Sequence, residues 1–150
     1  MGFAWLDADA PFSGYVGHDR TITLIEGPGF ALDFGPSHPE LVARRPYLPF
    51  TFDGGWAARC RVPDGPCIVL NAMTARAAWT HSVTVAPAAA IPAPSPGGAA
   101  FLVVLEGSIT IEGQSAQARD AFRIEEAVTL RAAADARVAL IRVDPTRRPG

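Results

Sequence analysis

Fourteen prolines and fourteen glycines are spread through 150 residues, and they interrupt the chain before a long helix could form. Between the interruptions lie short stretches rich in β-branched and aromatic residues, with apolar and polar side chains alternating. They cover residues 21–26, 30–34, 56–62, 67–73 and 79–85, then 101–106, 108–112, 114–119, 128–131 and 137–143. A period of two is the mark of a strand with one buried face. No stretch beyond about ten residues carries the helical period, and only residues 39–45 and 132–135 could hold a helical turn. Many short strands at regular spacing predict an all-β sandwich or barrel.

With 49% hydrophobic and 19% charged residues, the chain can bury a sizeable core, which excludes a disordered tail. Its apolar runs fall far short of the ~20 residues that span a bilayer as a helix, so no membrane partner is expected. Fifteen acidic against thirteen basic residues give a net charge of -2, which excludes a general nucleic-acid binder. Every basic residue is Arg, as codon usage in a GC-rich genome would produce, so Arg content by itself is no functional signal. Two cysteines and a start without a basic segment predict a reduced, cytoplasmic protein.

The turns have local causes. Gly27 and Gly107 follow apolar strands where the chain must reverse, and Val62-Pro63-Asp64-Gly65 reads as a hairpin turn joining two antiparallel strands. Cys60 and Cys67 flank that turn and read as small buried hydrophobes rather than a functional pair. Residues 86–98, rich in Pro and Ala, form an extended connector between a first half, residues 1–85, and a second, residues 99–150. The halves partly repeat. Ile25-Glu26-Gly27 matches Leu105-Glu106-Gly107, Phe50-Thr51-Phe52 matches Phe122-Arg123-Ile124, and Asp64 with its following strand matches Asp135 with residues 137–143. The order is kept at offsets of 80, 72 and 71 residues, as in a duplicated β unit.

Few residues carry visible chemistry. His18, His38 and His81 are too scattered to begin a metal site, so neither metal nor cofactor is expected. No nucleophile elbow, phosphate loop or dinucleotide fingerprint is present. Arg20 is the sharpest signal, since alternation places it on the face of Ile22 and Leu24. A cation on an apolar face needs an anion. That anion is either a carboxylate ligand, gripped by a guanidinium facing water at the mouth of the barrel, or an internal partner among Asp19, Asp53 and Glu26. Asn71 shares a face with Cys67, Val69 and Met73, so its amide must be satisfied by a neighbour, a water or a ligand. His81 shares a face with Trp79, Val83 and Val85; a core histidine is the simpler reading, and a pocket wall built with Trp79 is the other. Asp53, in Phe52-Asp53-Gly54-Gly55, reads first as a turn-forming Asp and second as a ligand contact.

The stretches Pro11-Phe12-Ser13, residues 17–27 (Gly17-His18-Asp19-Arg20-Thr21 onward), Pro49-Phe50-Thr51-Phe52-Asp53-Gly54, Gly65-Pro66 and Leu70-Asn71-Ala72-Met73 resemble the HutD family. These are cupin-like proteins encoded among bacterial histidine-utilisation genes, with the related Ves proteins. The second half resembles the family only in its pattern of strands and turns. The resemblance implies a cupin-like double-stranded β-sandwich, or jelly roll, with two cupin-like halves, no bound metal and a pocket in the first half. It further implies a regulatory role through binding of a small acidic histidine-degradation intermediate such as formylglutamate. The family's N-terminal segment with an Asn-Gly-Gly-Gly stretch is expected to be missing, since this chain begins too late to contain it. On this reading the protein is a metal-free binder of a small anionic metabolite rather than an enzyme, with a homodimer allowed. Arg20 takes the carboxylate, Asn71 fixes its orientation, Trp79 and His81 shape the wall, and Asp53 adds a contact. The alternatives are a metal-independent isomerase or epimerase with His81 as proton shuttle, and a structural module that has lost its site.

Overall fold

A computed structural model describes residues 1–87 and 93–146. Among these residues every regular element is a strand, as the short alternating segments predict. The chain divides into two compact units, Met1–Ala77 and Ala78–Gly150.

In the first unit, β1 (Gly2–Leu6), β3 (His18–Glu26), β6 (Pro49–Asp53) and β8 (Cys67–Ala75) form an antiparallel sheet in the order β1-β8-β3-β6. A second sheet holds β2 (Ala10–Phe12), β4 (Phe30–Asp33), β5 (Leu41–Ala43) and β7 (Ala58–Arg61) in the order β2-β7-β4-β5. Alternation aims Ile22, Leu24 and Val69 from one sheet at Phe30, Leu32 and Cys60 from the other, and all are buried in one cluster. Each large side chain so buried stabilises the sandwich by roughly 1.5–3 kcal/mol.

The second unit repeats the plan. β9 (Trp79–Pro87), β10 (Ala99–Glu106), β13 (Ala121–Ile124) and β15 (Arg137–Pro145) form a sheet in the order β13-β10-β15-β9. β11 (Ser108–Ile111), β12 (Gln114–Gln117) and β14 (Leu130–Ala132) form another, in the order β12-β11-β14. Leu102, Val104, Ile109, Ile111 and Val138 fill the core between them. The duplication extends to irregularities, because the ladder slips by one residue between Leu24 and Glu26 against β8 and between Val104 and Glu106 against β15. Both slips are followed by a glycine in the left-handed region, Gly27 at φ 105° and Gly107 at φ 70°. A Cβ on Gly27 would lie 2.5 Å from the Pro66 carbonyl oxygen, which excludes a side chain, while one on Gly107 would crowd Ala136 Cα at 3.0 Å in a backbone conformation that already strains any side chain.

Four expectations need correction. The glycines at 27 and 107 do not join paired neighbours, because β3 and β4, like β10 and β11, belong to different sheets. They turn the chain through a corner from one layer to the other. The turn at residues 62–65 forms, with the Gly65 amide donating to the Val62 carbonyl at 3.2 Å, yet it too connects strands of different sheets. Residues 39–45 contain β5 rather than a helical turn, and residues 132–135 close β14 and enter a turn. The first unit also ends earlier than residue 85. β9 pairs along its whole length with β15, from Pro87 opposite Arg137 to Trp79 opposite Pro145, and so belongs to the second unit. Of the connector at residues 86–98, Ala86 and Pro87 finish β9, while residues 88–92 lie outside the described residues.

Candidate functional site

Arg20 opens the inward face of β3, opposite Phe52 of β6 and Met73 of β8. Asn71 lies on the same face, because it pairs with Ile22, the next inward residue along β3. The two side chains meet. Nε and Nη2 of Arg20 both donate to Asn71 Oδ1, at 3.0 and 2.9 Å, and Nη1 donates to the Ser13 carbonyl at 3.0 Å. Beneath the guanidinium lies the ring of Phe12, 4.0 Å from Cζ to its centroid, with Tyr15 at 5.7 Å and Phe52 at 6.0 Å. Phe52 continues into an aromatic train: Phe34 at 5.2 Å, Trp56 at 5.3 Å from Phe34, and His38 stacked 3.7 Å from Trp56.

Arg20 and Asn71 are each only 6% exposed, so the guanidinium does not face water as expected. Burial pulls its pKa below the ordinary value, with Tyr15 opposing the shift. The internal ion pair fails as well. Asp19 and Asp53 stand opposite each other on the outward face of β3 and β6, and Arg76 bridges both, from Nε to Asp19 Oδ1 at 2.8 Å and from Nη2 to Asp53 Oδ2 at 2.9 Å. Glu26 sits at the far end of β3, six residues and roughly 20 Å along the strand. Among the described residues Arg20 therefore has no carboxylate partner. Of its five N–H groups three are used, which leaves two, one on each terminal nitrogen. The chemistry on offer is that of an anion receptor.

Asp53 is the turn-former its sequence suggests, since its Oδ1 accepts the Gly55 amide at 2.8 Å. That bond, with Arg76 adding to it, holds its carboxyl below the usual range. Trp79 and His81 lie on β9, in a sheet of the second unit. Residues that the sequence reading left unassigned complete the site: Phe12 and Ser13 from the end of β2, Tyr15 from the following loop, and Arg76 after β8. Pro11-Phe12-Ser13 was visible as a motif, but nothing in it named Arg20 as its partner. Among the described residues no three His, Cys, Asp or Glu side chains gather as a metal ion would require.

Three solved structures share the fold, all below 25% identity. Each alignment covers 97% of this chain. A conserved protein of unknown function from Pseudomonas aeruginosa PAO1, PA5104, superposes with a TM-score of 0.79 at 22% identity over 82% of its own length. HutD from Pseudomonas fluorescens SBW25, in a structure of the formate condition, gives 0.76 at 19% identity over 78% of its length. AerE from Microcystis aeruginosa gives 0.61 at 9% identity over 86%. No curated protein matches the sequence. The HutD family model matches residues 1–142, from the first strand into the last, and the chain belongs to the HutD family.

Proposed function

We propose that this protein binds a small carboxylate metabolite at Arg20 without transforming it, as a cytoplasmic regulator linked to histidine utilisation, with a formylglutamate-like ligand. One observation carries the reading: a buried guanidinium with two unused N–H groups and no carboxylate of its own among the described residues. An unpaired buried charge is costly, and an incoming carboxylate would relieve that cost with charge-assisted hydrogen bonds. Neither hydrogen-bond partner of Arg20, the Asn71 amide or the Ser13 carbonyl, is a base or a nucleophile, which favours binding over catalysis.

The test is calorimetric titration of formate, glutarate and formylglutamate into the protein and its Arg20→Met variant, well below both melting temperatures. Charge-assisted bonds of ~1.5–3 kcal/mol predict a roughly ten- to hundredfold loss of affinity in the variant. Because Arg20 is buried, the variant should also lose about 1–3 kcal/mol of stability, as Asn71 and the Ser13 carbonyl lose their donors. Equal affinity in the two proteins would overturn the proposal.

A further inference from the structure

We infer that Asn71 is a positioning residue that holds Arg20 in its binding geometry without discharging it, and that this neutrality reserves the site for an anion. The inference rests on the reading of Arg20 as the ligand's cation. Guanidinium edges such as Nε with Nη2 are where a carboxylate docks as a fork. Here one amide oxygen accepts from both atoms, at 3.0 and 2.9 Å. An aspartate in that place would differ by a single atom, keep the contact and cancel the charge.

Hydrogen-bond logic also orients the amide. Arg has only donors, so Asn71 must turn its oxygen toward Arg20 and its NH2 away. Among the described residues Thr23 Oγ1 is the one buried side-chain polar atom without a partner, so the Asn71 NH2 group, which makes no hydrogen bond to them, keeps contact with solvent and is open to an incoming acceptor. Two N–H groups on Arg20 and two on Asn71 thus remain, and all of them donate. A ligand that satisfies them must accept, and the undischarged cation selects an anion over a neutral acceptor.

The duplication supplies an independent observation. Counting from the matching ladder slips, Arg20 corresponds to Ala100 and Asn71 to Leu140 in the second unit. Both polar residues are replaced there together, by apolar ones, as expected of two side chains that work only as a pair.

The experiment compares the full chain with its Asn71→Asp and Asn71→Ala variants by thermal melting, by solvent exchange of the Arg20 Nε–H in NMR spectra, and by titration of glutarate and formate. Asn71→Asp should melt higher than the parent, keep the Nε–H protected, and yet bind glutarate at least about tenfold more weakly. Asn71→Ala should speed Nε–H exchange by about tenfold or more and also weaken binding. A merely structural Asn71 would not combine a higher melting temperature with lost affinity. Parental affinity in Asn71→Asp, or unchanged exchange in Asn71→Ala, overturns the inference. If the parent binds neither glutarate nor formate, the carboxylate-receptor function falls, and exchange in the two variants still decides the positioning role.

Discussion

Cys60 lies opposite Ala10 and Leu32 in its sheet, with its thiol in the apolar core of the first unit. Desolvation, aided by Asp9 and Cys67, pushes that thiol up to about 11. At pH 8 the native protein should hold about a hundredfold less Cys60 thiolate than an exposed cysteine would, and alkylate correspondingly slowly. Iodoacetamide labelling followed by mass spectrometry checks this, and labelling at the rate of the urea-unfolded chain would refute it. Since the folded value lies above the unfolded one, the associated stability is complete below the ordinary thiol range and is lost as pH rises toward 11. The reading of Cys60 and Cys67 as small buried hydrophobes was available from sequence, because alternation shows which way a side chain points. The same rule places Arg20 on the face of Ile22 and Leu24 and Asn71 on that of Val69 and Met73, and the pairing of β3 with β8 makes these one inward face. It could not supply Phe12 or Ser13, because they reach Arg20 from β2 and its following loop, a segment of the opposite sheet with no periodicity tying it to β3. Nor could it show that Arg76, rather than Arg20, meets Asp19 and Asp53.

The paired ends of β3 and β6 carry two like charges directly opposite each other, Asp19 and Asp53, a destabilising arrangement unless something bridges it. Arg76 does so, and also donates from Nη2 to the His18 carbonyl at 3.2 Å. The bridge is exposed and modest, but it sits one residue from Arg20 and Phe52. Arg76→Ala should lower the melting temperature by a few degrees at neutral pH. The gap should narrow on acidification. Asp53 titrates below the usual carboxylate range, chiefly through the Gly55 amide and then through Arg76, so its contribution is present above the ordinary Asp value and lost as pH falls through the depressed one. Below that, Asp53 is protonated and its charge-assisted contact with Arg76 is gone. Melts of both proteins at pH 7 and pH 3 decide the matter, and a gap that widens in acid would sink it. Most strands themselves were legible as alternating segments. Their sheet partners were not, because a glycine that reverses a hairpin and a glycine that turns a corner between layers look alike in sequence.

Across the whole chain the repeat in sequence is a repeat in architecture, since β1-β8-β3-β6 in one unit matches β9-β15-β10-β13 in the other. This correspondence explains why sequence alone places β9 in the first half. Its alternation identifies a strand but not a neighbour, and the Pro-rich stretch after it looks like a boundary. The duplicated plan requires otherwise, because β9 fills in the second sheet the place that β1 fills in the first. A fragment of residues 99–150 would leave one side of β15 without the partner that runs along all nine of its residues. Exposed, unpaired strand edges promote aggregation, and a unit this small has little core with which to offset the loss. A fragment of residues 78–150 keeps the pairing. Amide hydrogen exchange should therefore show slow exchange at Val138, Leu140 and Arg142 in the longer fragment, with fast exchange or precipitation in the shorter one. Equal protection of β15 in the two would mean that β9 is dispensable to the second unit, and that the boundary belongs in the Pro-rich stretch after all.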